Sequence, residues 1–458
     1  MKHTAIRPFR SSTPFSFFIF SFLFLISLNS CSLQKKLDTV AKTDIINEAD
    51  LQTAHIGITV YEPATNKYWY DYQGNKYFVP ASNTKIFTCY AGMKYLGDSL
   101  TGIKYLETNN DLLLFPTGDP SLLHSDFKHH PVIDFLQHST KNIYITDAAW
   151  KDEALGFGWA WDDYNSDYMA ERSALPIYGN VIRFVQTESQ NGLIPGSGIQ
   201  QPATFTVPEI NWKLRFSTDT GSKRFSVERK RDENVFTVTQ GIEKYKEVEI
   251  PFSTQGIQSA LELLKDTVGK TIAIKEGIKQ SSRLRTIKSQ PTDSLFKPMM
   301  HRSDNFYAEQ TLLMVSNEKL GLMSDTKIID TLLKTDLKDL PQRPRWVDGS
   351  GLSRYNMFSP RDFVWVLNKL RNEFPWQRIT TIFATGNTGT LASYYKSDSG
   401  YIYAKTGTLT GHVALSGYLI TKKGKSLIFS VLVNNHQTSA ATVRRSVAAF
   451  LQHLRNNY

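Results

Sequence analysis

Between Ile86 and Leu96 nearly every position is apolar, with Ile86, Phe87, Cys89, Tyr90, Met93 and Leu96 spread around all sides of a helical projection. A helix with no polar face is a buried helix. Before it the pattern is different. His55 to Tyr61 and Lys67 to Tyr72 read as two strands joined by a turn at Pro63 to Asn66, and Gln73-Gly74-Asn75 closes the second. Further upstream, a polar start at 32 gives way to Leu37, Val40, Ile45 and Ile46, whose spacing predicts an amphipathic helix.

From Leu96 to Gln290 the texture changes to short strand-like runs separated by Gly, Pro and Asp. These runs are Leu112 to Phe115, Asn142 to Thr146, Asn180 to Gln186, Ala203 to Val207, Val235 to Thr239 and Thr271 to Ile274, with helices at Val132 to His138 and Ile257 to Val268. Helical spacing resumes near Phe296 and covers Phe306 to Leu313 and Ile328 to Lys334. Ser359-Pro360-Arg361-Asp362 is a helix start, with a capping serine, proline at the first position and an acid in the first turn. Tyr401 to Thr406, Ala414 to Thr421 and Ser426 to Val433 then predict three successive strands, and 439–455 a closing helix. Strands from both ends of the chain can form one antiparallel sheet, with a β-rich middle inserted. The expected organisation is 37–95 with 291–458 as one unit and 96–290 as the insert.

Composition adds the compartment. The 458 residues carry a net charge of +10 and are 41% hydrophobic, as in an ordinary globular protein. Lys2, Arg7 and Arg10 precede a short apolar run, Phe15 to Leu28, that ends in Asn29-Ser30-Cys31. This predicts a signal peptide over 1–30. Without it the charge is +7, scattered rather than clustered, and no aromatic-basic module argues for nucleic acid. There are two cysteines, Cys31 and Cys89, so neither a disulfide framework nor a Cys/His metal site can be built, and no cofactor is called for.

Candidate chemistry centres on Pro80-Ala81-Ser82-Asn83-Thr84-Lys85. The proline-led entry puts Ser82 at a helix start, with Lys85 on the same face one turn on. A lysine at the buried end of an apolar helix loses hydration, becomes a neutral base and activates the serine beside it. The bare Ser-x-x-Lys pattern also starts at Ser32, Ser125, Ser294, Ser316, Ser324 and Ser393. The bland alternative for Ser82 is therefore a capping serine with a solvated lysine. Two downstream triplets weigh against it. Ser303-Asp304-Asn305 stands at a helix entry, where a hydroxyl can relay a proton and an amide can orient a substrate. Lys405-Thr406-Gly407, the one Lys-Thr-Gly of the chain, ends a strand and is followed by Thr408. There a lysine can hold a carboxylate, and a glycine admits a close ligand.

The set of Ser-x-x-Lys, Ser-Asp-Asn and Lys-Thr-Gly is shared by class A β-lactamases and penicillin-binding proteins. The chain resembles the D-Ala-D-Ala carboxypeptidase/endopeptidases of the low-molecular-mass class C penicillin-binding proteins, the S13 peptidases. Gly118-Asp-Pro-Ser-Leu122, Asp348-Gly-Ser-Gly-Leu-Ser-Arg354, Gly389-Thr-Leu391, Ala404-Lys-Thr-Gly-Thr-Leu409 and Leu415-Ser-Gly-Tyr418 extend the likeness over about 37–455, more loosely within 187–290. The long insert is characteristic of that class.

The resemblance implies an α/β (α+β) sandwich of the serine β-lactamase/penicillin-binding-protein type, with a five-stranded antiparallel sheet, flanking helices and the β-rich insert. It implies an acyl-enzyme on Ser82, with Lys85, Ser303, Asn305 and Lys405 as its catalytic partners. Thr406, Gly407 and Thr408 would be substrate-binding, and backbone N–H groups of Ser82 and Thr408 would hold the oxyanion. The partners it implies are peptidoglycan peptides ending in D-Ala-D-Ala and β-lactam antibiotics. The Leu28-Asn29-Ser30-Cys31 ending resembles a lipoprotein signal, which would acylate Cys31 and anchor an exported protein to a membrane of the cell envelope. Tyr403 stands where the family often has a basic residue, and His412 where a small apolar one is common. Two other readings are a class A β-lactamase, which would lack the insert and carry a Glu-x-x-Leu-Asn stretch not found here, and a non-catalytic wall-binding or β-lactam-sensing lipoprotein.

Overall fold

A computed structural model describes residues 33–193, 200–217, 222–278 and 284–458. The expected signal peptide, 1–30, and Cys31 lie outside the described residues. No helix among the described residues is long and apolar enough to cross a membrane.

The chain's two ends build one antiparallel sheet in the order Ala384–Thr385, Ile402–Leu409, His412–Ile420, Ser426–Asn434, His55–Glu62, Lys67–Tyr72. Five of these are full strands; the sixth is a two-residue edge piece pairing only with Tyr403 and Ala404. The first strand joins the last by a register that sets His55 opposite Asn434 and Tyr61 opposite Ile428. Each face is covered. On one side, Leu37, Ala41 and Ile45 and the Ala440–Asn457 helix pack through Val443, Val447 and Phe450 onto Ile58, Val60 and Phe429. On the other, helices Lys85–Tyr95, Asn305–Leu320 and Pro360–Glu373 share a core with Ile428 and Leu432. Ser359 caps the last of these by accepting from Asp362 N, while the Asp362 carboxylate accepts from Ser359 N.

The helix that begins at Lys85 is buried from Lys85 through Met93, as its all-round apolar pattern requires. Ser82 does not cap it. It sits in a 3-10 turn, Ala81–Thr84, that runs straight into the helix, and no side chain caps either element.

Among the described residues, the middle of the chain forms three further sheets. The largest has the order Ile272–Ile274, Asn142–Ile145, Asp111–Pro116, Ser99–Glu107, Arg285–Pro291. Its first and last strands in sequence pair with each other, Ser99 opposite Pro291, which brings the two ends of this stretch together. The other two sheets have three strands each, Tyr245–Pro251, Val181–Leu193, Gln200–Val207 and Lys213–Phe216, Val235–Thr239, Ser226–Arg229.

One buried ionic cluster ties the middle of the chain to the later helices. Arg172, 1% exposed, donates to Asp325 Oδ2 (2.6 Å), Asp152 Oδ1 (2.8 Å) and Glu309 Oε2 (3.5 Å). Removing the cation from such a cluster leaves buried carboxylates uncompensated. We expect Arg172→Met to lower the unfolding free energy by about 3–5 kcal/mol in urea titrations at neutral pH. An unchanged midpoint would show that the cluster contributes nothing to the fold.

Candidate active site

The Ser82 turn is pinned to the sheet from several directions. Val79 N donates to Asn434 Oδ1 (2.7 Å), and Asn434 Nδ2 donates to Val79 O (3.0 Å). Asn83 Nδ2 reaches Ser416 Oγ (2.7 Å), which continues to Ser430 Oγ (2.8 Å). These bonds fix the backbone on both sides of Ser82.

Lys85 is fully buried, and its amine has three acceptors: Ser82 Oγ at 3.0 Å, Asn305 Oδ1 at 2.6 Å and the Ser350 carbonyl at 2.8 Å. Burial lowers its pKa to about 8, against the opposing pull of Asp348, Glu309 and Asp304. The alternative of a capping serine beside a solvated lysine is thereby excluded. The Ser303-Asp304-Asn305 triplet reaches the same spot. Asp304 caps the Asn305–Leu320 helix by accepting from Tyr307 N, and Ser303 just before it is held at φ 64°. Asn305 is engaged at both ends of its amide, Oδ1 on Lys85 and Nδ2 on the Tyr168 carbonyl (2.9 Å).

Lys405 arrives from the Ile402–Leu409 strand. It is also fully buried and donates to Ser303 Oγ and the Thr406 carbonyl, both at 2.8 Å. Burial, and then the charge of Lys85, push its pKa well below the usual lysine value. Gly407 is where this strand touches the Ser82 turn: a Cβ there would lie 2.6 Å from Pro80 O and 3.1 Å from Ser82 N. The Thr406 hydroxyl bonds that of Thr390 (2.8 Å), and Thr408 Oγ1 accepts from Arg444 Nη2 (2.6 Å). All eight site residues expected from the sequence inside the described region, Ser82, Lys85, Ser303, Asn305, Lys405, Thr406, Gly407 and Thr408, thus lie on three segments that meet.

The Asp348–Arg354 stretch was visible in the sequence only as a family-like motif, and its role in holding Lys85 from below was not. The Asp348–Arg354 loop supplies the Ser350 carbonyl, and it threads under the turn at Gly351, where φ is 83° and a Cβ would fall 1.9 Å from Ala81 O. Asp348 shapes this loop by accepting from Gly351 N, Ser353 N, Asn356 Nδ2 and Trp159 Nε1. Glu309 Oε1 accepts from Ser350 N (2.7 Å). Burial and Asp348 raise the Glu309 carboxyl to about 7, opposed by Arg172. Trp159, whose Nε1 donates to Asp348 Oδ2 (3.0 Å), is therefore a buttress of the Asp348 loop. His412 opens a strand and bonds the Thr410 carbonyl (2.7 Å), and Tyr403 packs edge-on against Trp376, so neither departure from the family pattern joins the cluster.

The profile of the D-Ala-D-Ala carboxypeptidase 3 (S13) family matches residues 34–454. The D-alanyl-D-alanine carboxypeptidase DacB of Haemophilus influenzae is 24% identical over 451 residues, covering 90% of this chain and 93% of that protein. The D-alanyl-D-alanine carboxypeptidase of Actinomadura sp. strain R39 is 25% identical over 442 residues, covering 86% and 80%. The crystal structure of penicillin binding protein 4 (dacB) from H. influenzae superposes with a TM-score of 0.70 at 20% identity, over 91% of this chain and 98% of that one. Its complex with a novel β-lactam gives 0.67 at 19% identity, over 89% and 97%. With its profile matched from residue 34 to 454, this chain belongs to the D-Ala-D-Ala carboxypeptidase 3 (S13) family of serine peptidases.

Proposed function

We propose that the three converging segments form the site of a serine D,D-carboxypeptidase that cleaves D-Ala-D-Ala stem peptides of peptidoglycan, or cross-links of the same chemistry, and that β-lactams acylate it. The observation that carries this reading is the fully buried Lys85 amine 3.0 Å from Ser82 Oγ. Ser82 attacks the penultimate D-Ala carbonyl while neutral Lys85 takes its proton. Backbone N–H groups of Ser82 and Thr408 hold the oxyanion, a role supported by the close approach of the strand to the turn at Gly407.

As the tetrahedral intermediate collapses, the C–N bond breaks and Ser303 passes a proton to the leaving amine. Lys405, bonded to Ser303, completes that relay. Lys405 and Thr406 also form the carboxylate end of the cleft. Asn305 holds the Lys85 amine from its far side and orients the acyl amide of the substrate when one enters. Water then hydrolyses the acyl-enzyme on Ser82.

The same proposal divides the chain into a catalytic unit, 37–95 with 291–458, and an insert, 96–290, supported by the pairing of Ser99 with Pro291. It makes residues 1–30 a signal peptide and Cys31 the lipidated first residue of an exported, envelope-anchored protein, a reading that rests on the sequence around Cys31. The insert argues against a class A β-lactamase, and the intact hydroxyl, amine and amide set against a purely binding protein.

Incubation of the purified protein with a pentapeptide ending in D-Ala-D-Ala is expected to release free D-alanine, and Ser82→Ala to abolish release while its melting transition persists. Unchanged release from that variant removes Ser82 as nucleophile. Gly407→Ala places a methyl group against the Pro80 carbonyl and Ser82 N. It is expected to slow acylation by labelled penicillin by on the order of 100-fold, the scale of one lost oxyanion donor. Acylation at the original rate would contradict the backbone N–H assignment.

A further inference from the structure

We propose that Arg444, on the Ala440–Asn457 helix, is a second cation at the carboxylate end of the cleft and recognises the terminal carboxylate of the substrate beside the Thr408 hydroxyl. The inference rests on the reading of Ser82 and the 405–408 strand given above, and it adds a residue that none of the three motifs contains.

Strand alternation separates the side chains of this segment. Lys405 and Gly407 face Ser303 and the Ser82 turn. Thr406 and Thr408 point the other way, toward Thr390 and Arg444. Beside Thr406 lies a small cleft of about 20 Å³, lined by Thr406, Arg444 and mostly apolar side chains that include Leu391, Tyr394, Val413 and Val447. Arg444 forms one wall of a space that begins at the carboxylate end of the strand.

The charge of Arg444 is unbalanced. Among the described residues no carboxylate lies within ion-pairing distance of it, and its recorded neighbours are the Thr408 hydroxyl and the Tyr394 ring, 6.0 Å from guanidinium carbon to centroid. Elsewhere in the chain Arg172, Arg361, Arg378 and Arg455 are each held by an aspartate. Arg444 is only partly buried, so its remaining N–H donors can meet a ligand.

The bond to Thr408 has a direction that matters. Arg444 donates, so it occupies a lone pair of the Thr408 oxygen and leaves the hydroxyl proton free to turn outward. An outward O–H beside a planar guanidinium is a donor array matched to a carboxylate. Lys405 supplies less of this than its sequence suggests. It is fully buried and already donates to Ser303 Oγ and the Thr406 carbonyl.

The test compares kcat/KM of the full chain for a pentapeptide ending in D-Ala-D-Ala with that for the same peptide as its C-terminal carboxamide. The unaltered protein is expected to prefer the free acid. Arg444→Ala should lose about 10–100-fold on the acid, the scale of one charge-assisted hydrogen bond, and little on the carboxamide. Arg444→Lys should keep part of the preference. Equal losses on both peptides, or an acid preference that survives in Arg444→Ala, overturn the inference while leaving Ser82 in place. Loss of the preference in Arg354→Ala instead would also overturn it, since that guanidinium reaches the neighbouring Thr410 carbonyl (3.4 Å). No release from either peptide by the unaltered protein overturns both this inference and the reading beneath it.

Discussion

A single amine taken out of water governs this molecule. The Lys85 ammonium has no exposure, and burying an ion is costly enough to lower its pKa to about 8, which brings the neutral amine within reach near neutral pH. Its three acceptors, Ser82 Oγ, Asn305 Oδ1 and the Ser350 carbonyl, are all uncharged. They fix where the nitrogen sits without paying the full cost of its charge. Each acceptor comes from a different part of the chain, so the position of one nitrogen requires the turn, the Asn305 helix and the Asp348 loop to be packed together.

The surrounding structure follows from that requirement. Asp348 and Glu309 are the carboxylates that most oppose the lowering, and both act through backbone. Asp348 gathers the N–H groups of Gly351 and Ser353, and Glu309 takes that of Ser350, so the loop carbonyl is turned onto Lys85. Arg172 in turn bridges Glu309 to Asp152 and Asp325. The middle of the chain therefore contributes to the amine's surroundings from two bonds away, and through Trp159 and the Tyr168 carbonyl it touches the Asp348 loop and Asn305 directly. The charge of Lys85 adds to burial in pushing the pKa of the second buried amine, Lys405, well below the usual lysine value.

Much of this was legible in the sequence because it is local. The Ser359 capping box, the all-round burial of the Lys85 helix and the Val235–Thr239 strand follow from neighbouring residues. The three motifs also named the residues that converge. Strands whose pattern is polar were not legible. Arg285–Pro291 is an edge strand with no buried position, and Tyr245–Pro251 buries only its last two residues. The Thr292–His301 helix was legible only from near Phe296, and Pro298 inside it blurs the usual signal. The supporting shell was illegible for another reason. Arg172 meets Glu309 across 137 positions, Trp159 meets Asp348 across 189 and Arg444 meets Thr408 across 36, and no spacing rule links such pairs.

Acylation at Ser82 requires Lys85 to be a base rather than a permanent cation. A folded-state pKa lowered from 10.5 to about 8 means that its neutral form becomes the major one as pH rises through about 8. NMR titration of the Lys85 side chain in selectively labelled protein, assigned with Lys85→Arg, measures this directly. The account predicts a midpoint near 8, well separated from the exposed lysines. A midpoint at the ordinary lysine value of 10.5 would contradict it, because Ser82 would then face an ammonium ion and have no base beside it.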